Sequence, residues 1–292
     1  MGGTINVRER LPKDTVWVLG LVVSGSLIYS MFRGQVPFGS DSHAYWLAWR
    51  GPMYTVGPST TDAYLYSPLF AEVIWPLTLL PWPLFAALVS LANALLLAWL
   101  LKPLGWNWAL PLWLTGLSEV VSGNVDVLLA MSALAGLRWP VAWALSAFTK
   151  VTPTMGPLWF LLRREWRRLA LSLLGIIVVA LPSVAMTPGL WAQWFRFLMA
   201  HAGETRIALG LRLSPPLIVR LPVGLALLAW GARSDRQWTI PVAMVLCTPV
   251  LWHGSFTMLA AIPRLQRSGP VTPRPGDAPE GTLKPRSSAD CD

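Results

Sequence analysis

The stretch Pro37-Phe-Gly-Ser-Asp41-Ser-His43-Ala-Tyr45-Trp46 gathers the residues best suited to proton chemistry. An acid followed two and four positions later by His43 and Tyr45, then by Trp46 and Trp49, suits a short interfacial helix with one polar edge. Held near a bilayer surface, Asp41 could act as a general base, taking a proton from a sugar hydroxyl as that oxygen attacks an activated donor. The competing use is an N-cap or a solvated loop acid, because Asp is common at helix starts.

Farther along, Asp62-Ala-Tyr64-Leu-Tyr66-Ser-Pro68-Leu-Phe70 reads as an interfacial lead into an apolar segment. Tyr64 and Tyr66 would sit at headgroup depth, and aromatic faces of this kind also stack on sugar rings. Five ionisable residues fall inside apolar windows, Glu72, Glu119, Asp126, Lys150 and Arg220, and such residues are functional candidates because burying them in lipid is costly. The ammonium of Lys150 requires an anion, either a lipid phosphate or an internal carboxylate such as Asp126. Glu119 and Asp126 flank Ser122-Gly123-Asn124, a break that brings two acids and an amide to one face. That grouping suits a binding site or a polar seam between helices. His201, Glu204, Arg206 and Arg212 follow an amphipathic stretch, 190–198, and the planar arginine fork suits a phosphate or, equally, lipid headgroups. His253 closes the run Thr248-Pro-Val-Leu-Trp252-His253. No His-Glu-x-x-His occurs, and no Asp-x-Asp pair falls within the apolar stretch 15–265, so no metal and no cofactor are expected.

The elements that must hold these residues are membrane helices. Of 292 residues, 54% are hydrophobic and only 13% are Asp, Glu, Lys or Arg, about half the charged share of a soluble domain, which excludes an ordinary cytosolic enzyme. Apolar windows at 15–32, 65–81, 83–101, 107–121, 125–137, 139–161, 169–186, 215–232 and 239–262 predict an all-α, polytopic bundle of about nine spans. The two short windows around Ser122-Gly123-Asn124 suit half-spanning or re-entrant segments. Residues 1–14 form a cytoplasmic N-terminus, 15–265 a transmembrane domain, and the Pro-, Gly- and Ser-rich tail 266–292 is expected to be disordered.

The formal charge of +9 is read first as topology rather than as nucleic-acid binding, since no RNA-binding motif accompanies it. Arg8, Arg10 and Lys13, the cluster at Arg163, Arg164, Arg167 and Arg168, and Arg233 with Arg236 then lie inside. Residues 32–64 and 187–214 face outward. Nine spans would put the tail outside, against its own Arg264 and Arg267. Cys247 and Cys291 offer neither a metal spacing nor a disulfide framework. With the polar residues outside and no nucleotide site, a sugar transferase would need a lipid-carried donor.

Together, the acid shortly before a Tyr in the first long loop, Tyr-x-Tyr-x-Pro-Leu-Phe at 64–70, the Gly123-Asn124 break, Lys150-x-Thr-Pro and Pro-x-x-Trp-His at 249–253 resemble the GT-C superfamily of integral-membrane glycosyltransferases. The best match is glycosyltransferase family 87, over about residues 15–265. Where Gly-Gln is usual at the break, this chain has Gly123-Asn124, and family members commonly continue through additional spans. The resemblance implies a GT-C bundle with interfacial helices in its outward loops and a cell-membrane, multi-pass location. It implies inverting transfer of a sugar, usually mannose, from a polyprenyl-phosphate donor to a lipid or glycan acceptor on the extracytoplasmic face. Asp41 matches the general base, His253 the histidine near the site, and Lys150 the lysine near the donor phosphate, with Arg206 and Arg212 as further phosphate ligands. His43, Tyr45, Tyr64, Tyr66, Asn124 and Asp126 would line the substrate. Two other readings stand beside it: a transporter or flippase using Glu72, Glu119, Asp126 and Lys150 as a midplane path, and a shortened non-catalytic relative.

Overall fold

The computed structural model describes residues 13–58, 60–201 and 215–267, and among them every regular element is helical. The α-helices are α1 (Lys13–Phe32), α2 (Ser40–Leu47), α3 (Pro68–Thr78), α4 (Trp82–Leu101), α5 (Trp106–Thr115), α6 (Leu117–Ser122) and α7 (Asp126–Arg138). They continue as α8 (Trp143–Thr149), α9 (Gly156–Leu162), α10 (Trp166–Met186), α11 (Pro188–Ala200), α12 (Leu217–Arg233) and α13 (Thr239–Cys247). A 3₁₀ helix, His253–Ala261, and the short α14 (Ile262–Leu265) end the described chain.

Among the described residues three helices are long and apolar enough to cross a membrane: α1, α4 with its extension to Leu104, and α10. They are uninterrupted apolar runs of about 20 residues, and they bury little of their surface, leaving Val18, Val22, Ile177, Val178 and Leu181 exposed. In an aqueous protein such a face would be a liability; against lipid tails it is the expected surface. The other six apolar windows fold as shorter or interrupted helices. Window 107–121 becomes α5 and α6, and window 139–161 becomes a 3₁₀ turn, α8 and α9 with a non-helical link at 150–155. Gly123, at φ 72°, ends α6 in the left-handed conformation that stops a helix, its N–H reaching back to the Glu119 carbonyl at 3.1 Å.

Two apolar cores lie one above the other. The first gathers Tyr45, Tyr64, Tyr66, Phe70, Phe85 and Val125; the second gathers Leu97, Leu100, Leu129, Leu137, Trp143, Phe160, Ile240 and Met258. Helix α4 runs from the first, at Phe85, to the second, at Leu97–Leu101, and the break at 122–124 sits where Val120 belongs to one and Val125 to the other. The break is therefore held between two packed layers, which is where irregular backbone can persist inside a membrane protein.

Window 239–262, expected as one span, doubles back. Helix α13 stops at Cys247, the chain is non-helical through 248–252, and the 3₁₀ helix returns packed on α7 and α13. At its end the Arg264 guanidinium lies 3.3 Å over the Trp99 ring and donates to the Trp99 carbonyl, while Arg267 donates to the Pro103 carbonyl. The adjoining turn, Leu104 to Trp108, lines a cleft with Lys13. Both ends of the described chain thus lie at one end of the bundle. The distal tail from 268 onward lies outside the described residues.

Candidate active site at the break between α6 and α7

Asp41 is the second residue of α2, and the start of that helix is tied to the end of α6. The Gly39 N–H donates to the Val121 carbonyl at 2.8 Å, and Ser42 packs directly on Gly123. Asp41 is half-buried, on the helix that packs against the break at 122–124. Burial raises its carboxyl above the ordinary value, while the Lys150 ammonium and the Ser122 hydroxyl act against that rise. One turn on, the Tyr45 hydroxyl donates to the Tyr66 hydroxyl at 3.0 Å, and Tyr66 reaches Asn124 Oδ1 at 3.5 Å. Asn124 is itself fixed: Oδ1 accepts the Val125 N–H at 2.6 Å, and its carbonyl accepts from Asn93 Nδ2 at 2.8 Å.

Beneath this lies the ion pair. Lys150 ends α8 and places Nζ 2.5 Å from Asp126 Oδ1, with Asp126 fully buried and Lys150 partly open. The internal carboxylate, one of the two anions open to Lys150 in the sequence, is thus its partner in the protein. Glu119 completes the cluster. Its Oε1 accepts the Asp126 N–H at 3.0 Å, and its Oε2 lies against Gly254, where an added Cβ would be only 2.0 Å away. Glu119 Oε2 and Asp126 Oδ2 are buried without a hydrogen-bond partner among the described residues. The break thus carries one ion pair and two buried carboxylate oxygens that no described donor satisfies.

The remaining expected residues are distributed less uniformly. His253 is exposed, with its ring centroid 4.1 Å from that of Trp252, and adjoins the site only through Gly254. His43 points away from Asp41, because residues two apart on a helix lie on nearly opposite faces. Its Nδ1 is 2.6 Å from Asp62 Oδ1, and its ring rests against Trp46 and Trp82. Tyr64 is a core residue, 2% exposed, whose hydroxyl donates to the Ser67 carbonyl at 3.0 Å. Arg206 and Arg212 lie outside the described residues. Glu72 does not join the cluster; it accepts a hydrogen bond from the Thr187 hydroxyl at 2.9 Å.

Sequence reasoning put Glu119 beside Asp126 at the break, as part of a binding site or of a polar seam, and it passed over Asn93 and Gly254. Asn93 carried a signal, as a lone amide within the apolar run of α4. Gly254 carried none, since the need for a missing side chain arises from a carboxylate far away in sequence. Among the described residues no group of three or more His, Cys, Asp or Glu is arranged to hold a metal ion.

The assembly offers a half-buried carboxylate able to accept a proton, an ammonium able to face an anion, and aromatic hydroxyls between them. No curated protein and no solved structure shows a significant match to the chain. Residues 64–272 match glycosyltransferase family 87, a stretch that contains Tyr64, Tyr66, Asn124, Asp126, Lys150, Arg206, Arg212 and His253 and begins beyond Asp41, His43 and Tyr45. Covering well over half of the chain, and joined to apolar helices long enough to cross a bilayer, that match establishes that the protein belongs to glycosyltransferase family 87 and is a membrane glycosyltransferase.

Proposed function

We propose that the protein transfers a sugar, mannose, from a polyprenyl-phosphate carrier to a lipid or glycan acceptor on the extracytoplasmic face of the cell membrane, with inversion. The observation that carries this reading is the position of Asp41: half-buried at the start of α2, a helix tied to the break at 122–124 by the Gly39–Val121 hydrogen bond and the Ser42–Gly123 contact, and near enough to Lys150 and Asp126 for their charges to act on its carboxyl. In the transfer step the acceptor oxygen attacks the anomeric carbon as the bond from that carbon to the phosphate oxygen breaks. Asp41 takes the hydroxyl proton, and the carrier phosphate leaves as an anion. Because the leaving group is already a stable anion, it needs charge stabilisation rather than protonation, and the partly open Lys150 ammonium supplies it. An ammonium has three N–H donors, so one bond to Asp126 leaves donors for a phosphate oxygen. Arg206 and Arg212 would add to that charge. Tyr45, Tyr66 and Asn124 would orient the sugar between base and phosphate, a contribution through positioning.

The experiment is direct. Membranes carrying the protein are incubated with radiolabelled polyprenyl-phosphate-mannose, and label is sought in lipid, glycan and protein fractions. Label in an acceptor, absent from Asp41→Asn membranes, supports the reading; equal transfer by that variant overturns it.

A further inference from the structure

Arg220 is a buried cation that the transfer chemistry leaves unused. It lies in α12, is 5% exposed, and has no carboxylate within ion-pair distance among the described residues. Its guanidinium instead donates to four backbone carbonyls: Pro215 at 2.7 Å, Leu246 at 3.0 Å, Thr248 at 2.9 Å and Pro249 at 3.0 Å. Three of these carbonyls belong to the end of α13 and the residues just after it. A helix end leaves its last carbonyls without donors, and Pro249, which has no N–H, cannot help to restore the ladder. In an apolar layer such groups require a partner, and the negative end of α13 favours a cation there. The planar fork of Arg reaches several diverging carbonyls at once, which a lysine ammonium does less well.

The turn that Arg220 holds leads within a few residues to Trp252, His253 and Gly254, and Gly254 is the residue seated against Glu119 Oε2. The fourth carbonyl, that of Pro215, opens the segment leading into α12. We infer that Arg220 is a positioning residue for transfer: by fixing the turn at 248–252 it seats Gly254 against Glu119 and sets His253 at the edge of the site. The inference rests on the transferase reading above. It assigns Arg220 no contact with either substrate. Its effect runs through the backbone it bonds, and an active-site displacement of about 1 Å is enough to cost on the order of 10²-fold in rate.

The turn contains its own reporter. Cys247 is fully buried, and a Cβ on Gly224, one turn past Arg220, would lie 2.8 Å from Cys247 Sγ. In a Cys291→Ser background Cys247 is the sole thiol. The test compares the full chain, Arg220→Gln and Arg220→Lys in detergent, by size-exclusion profile, by maleimide labelling of Cys247, and by kcat and KM with polyprenyl-phosphate-mannose. The expected result is monodisperse variants, faster labelling of Cys247, a kcat lower by roughly 10²-fold for Gln and less for Lys, and a donor KM near that of the unsubstituted chain. Unchanged kcat overturns the inference, whether or not labelling changes. A raised KM with kcat intact also overturns it, because it would mean a direct binding role. Failure of both variants to fold overturns it in favour of a purely structural role. An unsubstituted chain that moves no label defeats the transferase reading instead, and Cys247 labelling still reports whether Arg220 holds the turn.

Discussion

Gly123 touches Ser42 so closely that a Cβ at position 123 would lie 2.7 Å from both Cβ and Oγ of Ser42. The contact joins the break between α6 and α7 to the helix that carries Asp41. Gly123 also holds φ 72°, where an L side chain costs about 1–2 kcal/mol. Gly123→Ala is therefore expected to lower thermal stability and to reduce transfer by at least tenfold, as α2 is pushed from the break. Adding Ser42→Gly should recover part of the activity by relieving the contact but not the backbone strain. Equal activity in Gly123→Ala and the unsubstituted chain would show that the spacing between α2 and the break is immaterial.

Asp41→Asn should abolish transfer and leave expression intact, because the amide keeps the size of the group and loses its basicity. It should also stabilise the protein. Burial raises the Asp41 carboxyl, so the folded state holds that proton more tightly than the unfolded state does. The contribution favours folding at low pH and is lost as pH rises through the folded value, so at neutral pH the ionised group opposes folding. A thermal-unfolding midpoint at or above that of the unsubstituted chain is the expected result; a marked drop would mean that the ionised carboxylate holds the fold together.

The same shift fixes the acid side of the pH profile. A base must be ionised to accept a proton, so kcat/KM should fall on acidification at a pH above the ordinary Asp value of about 3.9. Lys150 is the strongest influence opposing the rise. Lys150→Met, where residual activity allows measurement, should move the acid limb to still higher pH. An acid limb at the ordinary carboxylate value would remove Asp41 from the role of base.

These residues also mark how far the sequence could be read. The i, i+4 relation of Asp41 and Tyr45 was legible because a helix period places them on one face; His43, expected on the same polar edge, is instead carried by that period to Asp62. For Lys150 the sequence left two anions open, a lipid phosphate or a carboxylate such as Asp126, because a lone charge in an apolar window demands a partner without naming it; the fold supplies Asp126. Helices α1, α4 and α10 were legible as uninterrupted apolar runs. The other windows concealed their breaks, since hydropathy reports the surroundings of a segment and not its continuity. Nothing local announces that the guanidinium of Arg220 takes over the carbonyls at 246–249, or that Gly254 gives room to Glu119. Both depend on partners distant in the chain.

The Asp126–Lys150 pair predicts a non-additive outcome. Removing one member leaves the other charge buried, at a cost of about 3–5 kcal/mol in a fully enclosed pair and less here because Lys150 is partly open. Asp126→Asn and Lys150→Met should each lower the unfolding midpoint, and the double variant should lower it by less than the sum of the two. Transfer should fall steeply, without vanishing, in every variant that lacks Lys150. Additive midpoints would mean that the two groups do not pair in the membrane.

The return of residues 253–265 to the end of the bundle that carries Lys13 predicts where the two ends of the described chain emerge. Arg264 and Arg267 bond the carbonyls of Trp99 and Pro103, beside the turn that shares a cleft with Lys13, so a reporter fused after Arg267 and one fused ahead of Lys13 should lie on the same side of the membrane. Arg163, in the turn after α9, donates to Asp235, in the turn after α12, at 2.6 Å, which places those two turns together. The positive-inside tendency would make the side shared by Lys13, Arg264 and Arg267 the cytoplasm. Paired fusions of a periplasm-active phosphatase and a cytoplasm-fluorescent protein at both positions would read this directly. Phosphatase activity at one end and fluorescence at the other would mean that window 239–262 crosses the bilayer as a single span and that the packing of the 3₁₀ helix on α7 and α13 does not hold in the membrane.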